Sequence, residues 1–280
     1  MAAHSLEVGV CTWSLQVTSL VELERLLGEV GASAVQFGLG DPHHGGWEEG
    51  DEVFARALEA PFDITATMIG FPGEDYTTPA TIEKTGGFGD PATRAKRLEI
   101  FRWAVDRTAD MRIAILTTHA GFIPEPDHED RTGFLDCLGA AVDYAESKNV
   151  ILALESGQEA AQLLQRTLDE IDSDHLKVNF DPANMILYDS GDPMHALDVL
   201  ASRVAHVHVK DGRAPTRKGE WGEETPLGQG DVGMRDYLGK LLEIGYAGPL
   251  IIEREAGTRA ELIQDIQAGV ALLKRLLAEL

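Results

Sequence analysis

The sequence predicts a (β/α)8 barrel of the TIM type, a single domain over residues 1–280. Three observations carry this expectation. Eight short apolar or β-branched runs recur along the chain, each followed by a stretch of helical periodicity. Most runs stay apolar until their last residues, as strands covered on both faces of a parallel sheet do. Strict alternation of strand and helix through eight units closes a barrel, and no G-x-G-x-x-G follows the first run to favour the alternative, a doubly wound open sheet.

The elements follow in order. The first strand is VGVCTWS (8–14), and Ser19-x-x-Glu22 has the form of a capping box opening a helix over 20–30. AVQFGLG (34–40) and DITATMIG (63–70) are the second and third strands. Asp90-Pro91 reads as an aspartate cap with proline at the first helical position, leading into apolar i, i+3, i+4 periodicity over 92–109. RIAILTTHA (112–120) precedes a helix over 131–148, and ILALESG (151–157) and LKVNFDP (176–182) are strands five and six. Asp192-Pro193 opens another helix before VAHVHVKD (204–211). PLIIERE (249–255) is the eighth strand, and Thr258-x-x-Glu261 caps the helix that runs over 261–280.

Composition excludes several function classes. The formal net charge is −23 and no basic run offsets it, so a phosphate backbone would be repelled and nucleic acid is not an expected partner. No stretch approaches the roughly 18 apolar residues that span a bilayer. The N-terminus lacks a basic segment leading into an apolar core, so a cytoplasmic enzyme is the expectation. Two cysteines, Cys11 and Cys137, cannot build a disulfide scaffold or a cysteine-based zinc site. An oligomer of identical chains remains open, since no helix carries a clear interface stripe.

In a barrel of this kind the active site lies at the C-terminal ends of the strands. Strand 5 ends in Glu155, strand 6 in Asp181, strand 7 in His208 and Lys210, and strand 8 in Glu253. These strands are neighbours about 4.8 Å apart, so their end residues can converge. Singly, each carboxylate reads as a helix cap or an ion pair, and each histidine as a hydrogen-bonded core group. That last reading is kept for His206, one layer deeper on the same face. Together, three carboxylates would repel unless a divalent cation joined them. Three oxygens and one imidazole suit Mn2+ best, with Mg2+, Co2+ or Zn2+ also compatible. Two long connections, Phe71–Pro91 and Gly212–Val232, follow strands 3 and 7 and read as ordered lids carrying Phe71, Tyr76, Phe88 and Trp221.

The segments LALESGQE (152–159), VNFDPANMILYDSGDP (178–193), HVHVKDG (206–212), ETPLGQGDV (224–232) and GYAGPLIIERE (245–255) carry a family resemblance, joined by FPGEDY (71–76) and THAGFIPE (118–125). In this order, over nearly the whole chain, they resemble the xylose isomerase-like TIM-barrel superfamily, in its sugar phosphate isomerase/epimerase branch. The resemblance implies Glu155, Asp181, His208 and Glu253 as metal ligands, and Glu155 with Glu253 as an acid/base pair moving a proton beside a carbonyl. It implies a small carbohydrate, either a keto-sugar or a sugar phosphate, as substrate. Ketose 3-epimerases of the superfamily carry a histidine three residues after the aspartate, where this chain has Asn184. Endonuclease-like relatives hold three zinc ions with additional histidines, which this chain does not supply.

Around that rim the substrate-contact candidates are Trp13, His119, Gln158, Asn184, Lys210 and Arg213. Trp13 could stack on a sugar or pack in the core, and His119 could bond a hydroxyl. Gln158 could orient a ligand or begin a helix. Lys210 and Arg213 could bind an anion or pair with Asp211 and other carboxylates. His43 and His44 read as a solvated loop. GQGDV (228–232) and EREAGT (253–258) lie where such barrels often bind phosphate, without forming a decisive phosphate loop. Two other functions stay open: a metal-dependent lyase of the inosose dehydratase or 3-keto-glycoside-cleaving type, and a non-catalytic sugar-binding barrel.

Overall fold

The computed structural model describes residues 6–40 and 46–280, so His43 and His44 lie outside the described residues. In chain order the strands are β1 (Val8–Cys11), β2 (Ala34–Gly38), β3 (Asp63–Met68), β4 (Ile115–Thr118), β5 (Ile151–Glu155), β6 (Leu176–Phe180), β7 (Val204–Val209), β8 (Asp211–Arg213), β9 (Glu223–Thr225) and β10 (Leu250–Ile252). Eight of them close a barrel in the order β1-β10-β7-β6-β5-β4-β3-β2, while β8 and β9 pair as a separate antiparallel hairpin. Every ladder described in the barrel is parallel. The predicted fold class is thus the observed one.

The apolar runs extend beyond the paired strands. Pairing stops at Cys11, Phe180 and Ile252, so Trp13, Asp181 and Glu253 stand just past the last ladder residue. This matters for the site, because a side chain beyond the ladder projects over the barrel mouth rather than into its packed interior.

The helices are α1 (Leu20–Val30), α2 (Glu52–Ala57), α3 (Pro79–Thr85), α4 (Arg94–Asp110), α5 (Arg131–Ser147), α6 (Ala161–Ile171), α7 (Pro182–Leu187), α8 (Pro193–Leu200), α9 (Met234–Glu243) and α10 (Arg259–Glu279). Buried leucines, valines and phenylalanines of these helices and of the outward strand faces form one continuous core. Packing of α10 against β1 and α1 closes the ring of helices.

Capping departs from expectation twice. Ser19 accepts from Glu22 N, but the Glu22 carboxylate pairs with Arg259 Nη2 at 2.7 Å instead of turning back to the cap. A tertiary cation outcompetes the local N–H. Asp90 caps a turn through Ala92 N at 2.9 Å, and α4 begins only at Arg94, whose guanidinium bonds Phe88 O. Thr258 and Glu261 do form the reciprocal box, and Asp192 caps α8 through His195 N.

Both long connections carry structure of their own. The first contains α3, with Thr78 and Thr81 forming a reciprocal box and Pro79 at the first helical position. The second contains the β8–β9 hairpin. Trp221 Nε1 donates to Tyr76 O at 3.1 Å and so ties one connection to the other.

Candidate metal centre

Register brings the four strand-end residues together. Glu155 pairs with Asn179, two residues before Asp181. Phe180 pairs with Val207, so Asp181 and His208 follow side by side. His208 pairs with Ile251, two residues before Glu253. The set climbs by two residues at two of its three steps, the stagger that tilted strands of a closed barrel require. One ligand atom from each residue then lies within 4.8 Å of the others, and all four residues are buried. His208 Nδ1 is 3.5 Å from Glu155 Oε1, 3.5 Å from Asp181 Oδ2 and 3.4 Å from Glu253 Oε2.

Each residue is held from behind. Asp181 caps α7, its Oδ1 accepting from Ala183 N at 2.8 Å and Asn184 N at 2.9 Å. The helix-cap reading and the ligand reading therefore apply to different oxygens of one carboxylate. Glu155 Oε1 accepts from Asn184 Nδ2 at 2.8 Å, with His119 Nε2 at 3.5 Å. Gly157 (φ 133°) lets the chain turn away here, because a Cβ would stand 2.2 Å from that of Asn184. Glu253 accepts at both oxygens, from Trp13 Nε1 at 2.8 Å and from Lys210 Nζ at 2.9 Å.

His208 Nε2 lies 2.5 Å from Gln36 Oε1. Gln36 Nε2 donates to Thr117 Oγ1 at 2.6 Å, and that hydroxyl donates to Thr67 O, so the amide is oriented with its oxygen toward His208. A carbonyl oxygen only accepts, so Nε2 carries its proton and Nδ1 is the nitrogen facing the carboxylates. Asn179 extends the same chain: its amide lies 3.1 Å from His208 Nε2 and 2.9 Å from His206 Nδ1, and His206 reaches Thr65. His206 is thus the hydrogen-bonded core histidine expected of it, and burial pushes its pKa down to about 3, which leaves it neutral.

The consequence is an unbalanced set of acceptors. Glu155 Oε2, Asp181 Oδ2 and His208 Nδ1 are buried without a hydrogen-bond partner. An orphaned buried polar atom costs about 1–3 kcal/mol, more when charged, so three on residues that cluster within reach of one ion fit a cation. Charge says the same. Burial works to raise Glu253, but Lys210 and then His208 outweigh it and hold its carboxyl well below the ordinary range. Burial also opposes the lowering of Glu155 by His119 and His208, whereas in Asp181 burial prevails and raises it. His208 rises well above its ordinary value: burial opposes this, but Glu253 and Glu155 outweigh it, so the carboxylates favour positive charge at this place. The donor set, three carboxylates and one imidazole, is one a divalent ion accepts.

The other rim candidates occupy defined places. Trp13 reaches Glu253, with its ring edge-on to His208 at 6.3 Å. The His119 ring lies 6.2 Å from that of Tyr76, its Nδ1 buried and unpartnered. Gln158 lies in the connection before α6 rather than in the helix and donates to Tyr188 Oη at 3.4 Å. Lys210 Nζ is buried between Glu253, at 2.9 Å, and Glu255, at 3.0 Å. Arg213 donates to Gln229 O at 2.6 Å and is half exposed. Residues with no earlier reading are Gln36, polar between Val35 and Phe37, and Asn179, polar between Val178 and Phe180. That interruption was the available signal.

A family model described as a xylose isomerase-like TIM barrel matches residues 25–276. The chain is 28% identical over 173 residues to an L-ribulose-5-phosphate 3-epimerase of Salmonella paratyphi C (strain RKS4594), covering 60% of this chain and 59% of that protein. It thus spans less than two thirds of this relative's length. Among solved structures it resembles a xylose isomerase domain protein from Planctomyces limnophilus, with a TM-score of 0.85, 32% identity, and 97% of this chain and 96% of that one covered. A xylose isomerase-like TIM-barrel protein from Mycobacterium smegmatis, in complex with magnesium, shares the fold at a TM-score of 0.65 and 16% identity, covering 96% of this chain and 99% of that one.

Proposed function

The chain belongs to the xylose isomerase-like TIM-barrel family, and on that premise we propose that it is a divalent-metal-dependent sugar isomerase or epimerase. The observation that carries the reading is the clustering of Glu155, Asp181, His208 and Glu253, with Glu155 Oε2, Asp181 Oδ2 and His208 Nδ1 buried and without hydrogen-bond partners. Glu155, Asp181, His208 and Glu253 would hold the ion, with Mn2+ the best match to their donors and Mg2+, Co2+ or Zn2+ alternatives. When bound, the ion supplies positive charge that stabilises negative charge on substrate oxygens during proton transfer.

The chain's own residues do the rest. Glu155 and Glu253 come from the outer two of four neighbouring strands, so they approach a substrate from opposite sides, as two-base inversion at carbon requires. One accepts a proton from the carbon beside the carbonyl while the other holds the proton to be returned. Asn184 Nδ2 and Trp13 Nε1 fix the planes of these two carboxylates, and Lys210 keeps Glu253 ionised. Tyr76, Tyr188 and Trp221 stand together over the mouth, with Tyr188 and Trp221 ring centroids 4.6 Å apart, and keep water from the reacting carbon. A metabolic enzyme of the cytoplasm acting on a small carbohydrate fits this reading.

The test is solvent-deuterium incorporation into a panel of ketoses and ketose phosphates, read by mass spectrometry together with product mass. Wild-type protein loaded with Mn2+ incorporates deuterium without further change of mass. Glu155→Gln and Glu253→Gln each lower exchange by about 1,000-fold. Normal exchange in both variants, or a product lighter by one water, overturns the proposal.

A further inference from the structure

Resting on the isomerase/epimerase reading, we propose that the sugar is uncharged, because the chain's own carboxylates fill the backbone cradle where such a barrel would receive a phosphate. That cradle forms from N–H groups of the loops after the last two barrel strands. Here those groups are taken. After β7, Asp211 is buried and accepts four backbone N–H groups: Gly212 at 3.0 Å and Val232 at 3.2 Å on Oδ1, Gly228 at 2.8 Å and Gly230 at 3.0 Å on Oδ2. After β10, Glu224 Oε1 accepts from Glu255 N at 2.8 Å and Ala256 N at 3.2 Å.

A ring of N–H groups around an anion is what a phosphate loop offers, and in this protein the anion is covalently part of the chain. The loop is shaped to the carboxylate. A Cβ on Gly230 would stand 2.2 Å from Asp211 Oδ1 and 2.5 Å from Gly212 N, so only glycine lets the backbone close around it.

The cations carried by residues 210–213 and 253–259 are engaged as well. Lys210 lies among Glu253, Glu255 and Glu224. Arg254 joins Glu224, at 2.5 Å, to Asp265, at 3.1 Å. Arg213 bonds Gln229 O, and Arg259 bonds Leu15 O and Glu22. A phosphate dianion arriving there would meet Asp211, Glu224 and Glu255, with Lys210 and Arg254 already paired to carboxylates. The Tyr76 ring beside His119 and the paired Tyr188 and Trp221 rings offer aromatic surface that suits the C–H faces of a neutral sugar.

The experiment compares free ketoses with the matching ketose phosphates on the Mn2+-loaded protein, reading deuterium exchange, and titrates inorganic phosphate by calorimetry. Free ketoses exchange with kcat/KM at least about 100-fold above their phosphates, since like charges facing each other in a site are strongly disfavoured, and phosphate gives no binding heat at millimolar concentration. Preferred turnover of the phosphates, or binding of inorganic phosphate, overturns the proposal while leaving the epimerase reading intact. Silence with both classes overturns the epimerase reading and this proposal with it.

Discussion

Replacing Gln36 by leucine tests whether the barrel interior prepares His208 for an ion. Gln36 is fully buried; its Oε1 lies 2.5 Å from His208 Nε2 and its Nε2 2.6 Å from Thr117 Oγ1. Leucine has nearly the same volume, so it leaves little cavity but removes these two hydrogen bonds and the one that Cys11 Sγ donates to Oε1 at 3.4 Å. Thr117 keeps Thr67 O as an acceptor, but the His208 Nε2 proton is left facing the Asn179 NH2 group, itself a donor, and Cys11 Sγ at 3.8 Å. The imidazole can then exchange which nitrogen carries the proton, and Nδ1 is no longer held as the free one. Partners of this kind behind a ligating histidine are worth about 10–100-fold in metal affinity, or roughly 1.4–2.7 kcal/mol. Isothermal titration with Mn2+ measures the loss directly. Imidazole 15N shifts report the tautomer, which separates a positioning role from general loosening of the core. Q36L binding Mn2+ within twofold of wild type, with an unchanged His208 spectrum, refutes the argument.

The remaining predictions probe the other atoms of the site. Asp181→Asn keeps an amide oxygen to cap α7 but turns an NH2 group toward His208 in place of Oδ2. Elemental analysis of the purified variant should find the ion lost, while the metal-free variant melts no lower than metal-free wild type because one like charge has gone. A melting point several degrees lower would mean that the cap requires the carboxylate. Glu159 is buried, and burial pushes its carboxyl up to about 8 from the ordinary 4.5. The native state therefore keeps a proton that the unfolded chain releases, so this contribution is complete below pH 4.5, is lost as pH rises toward 8 and is constant beyond. At about 1.4 kcal/mol per pH unit the loss reaches about 3 kcal/mol at neutral pH. Glu159→Gln removes that dependence, and urea unfolding at pH 5 and pH 8 should show the variant gaining on wild type at the higher pH; parallel pH curves for the two proteins would count against the burial argument.

Much of the barrel could be read directly. Helix α1 spans the residues its apolar spacing indicated, and α5 and α10 lie within two residues of expectation, because periodicity of three to four residues is a local property. Caps were less legible. Ser19-x-x-Glu22 and Thr258-x-x-Glu261 have the same pattern, yet only the second closes, because Arg259 draws Glu22 away. A local motif states what a side chain can reach, and a cation from a distant helix changes what it does reach. Helix α3 was hidden within a connection because Thr81, rather than glutamate or glutamine, completes its box.

For the site, the sequence alone determined which residue types end four successive strands, and hence that carboxylates and an imidazole gather at one rim. Strand order and side-chain chemistry follow from local pattern, so both were legible. Only the tertiary structure decided which atoms of those residues face inward. It set the two-residue stagger between Glu155 and Asp181 and again between His208 and Glu253, because the register of a closed barrel depends on every strand at once. It turned one Asp181 oxygen to a helix cap and left the other bare, and it aimed Gln36 across the barrel at His208. It also gave the N–H groups of Gly228, Gly230 and Val232 to Asp211, a carboxylate seventeen residues before Gly228. Donors and acceptors can be counted along the chain, but which donor meets which acceptor is settled only when distant segments close around them.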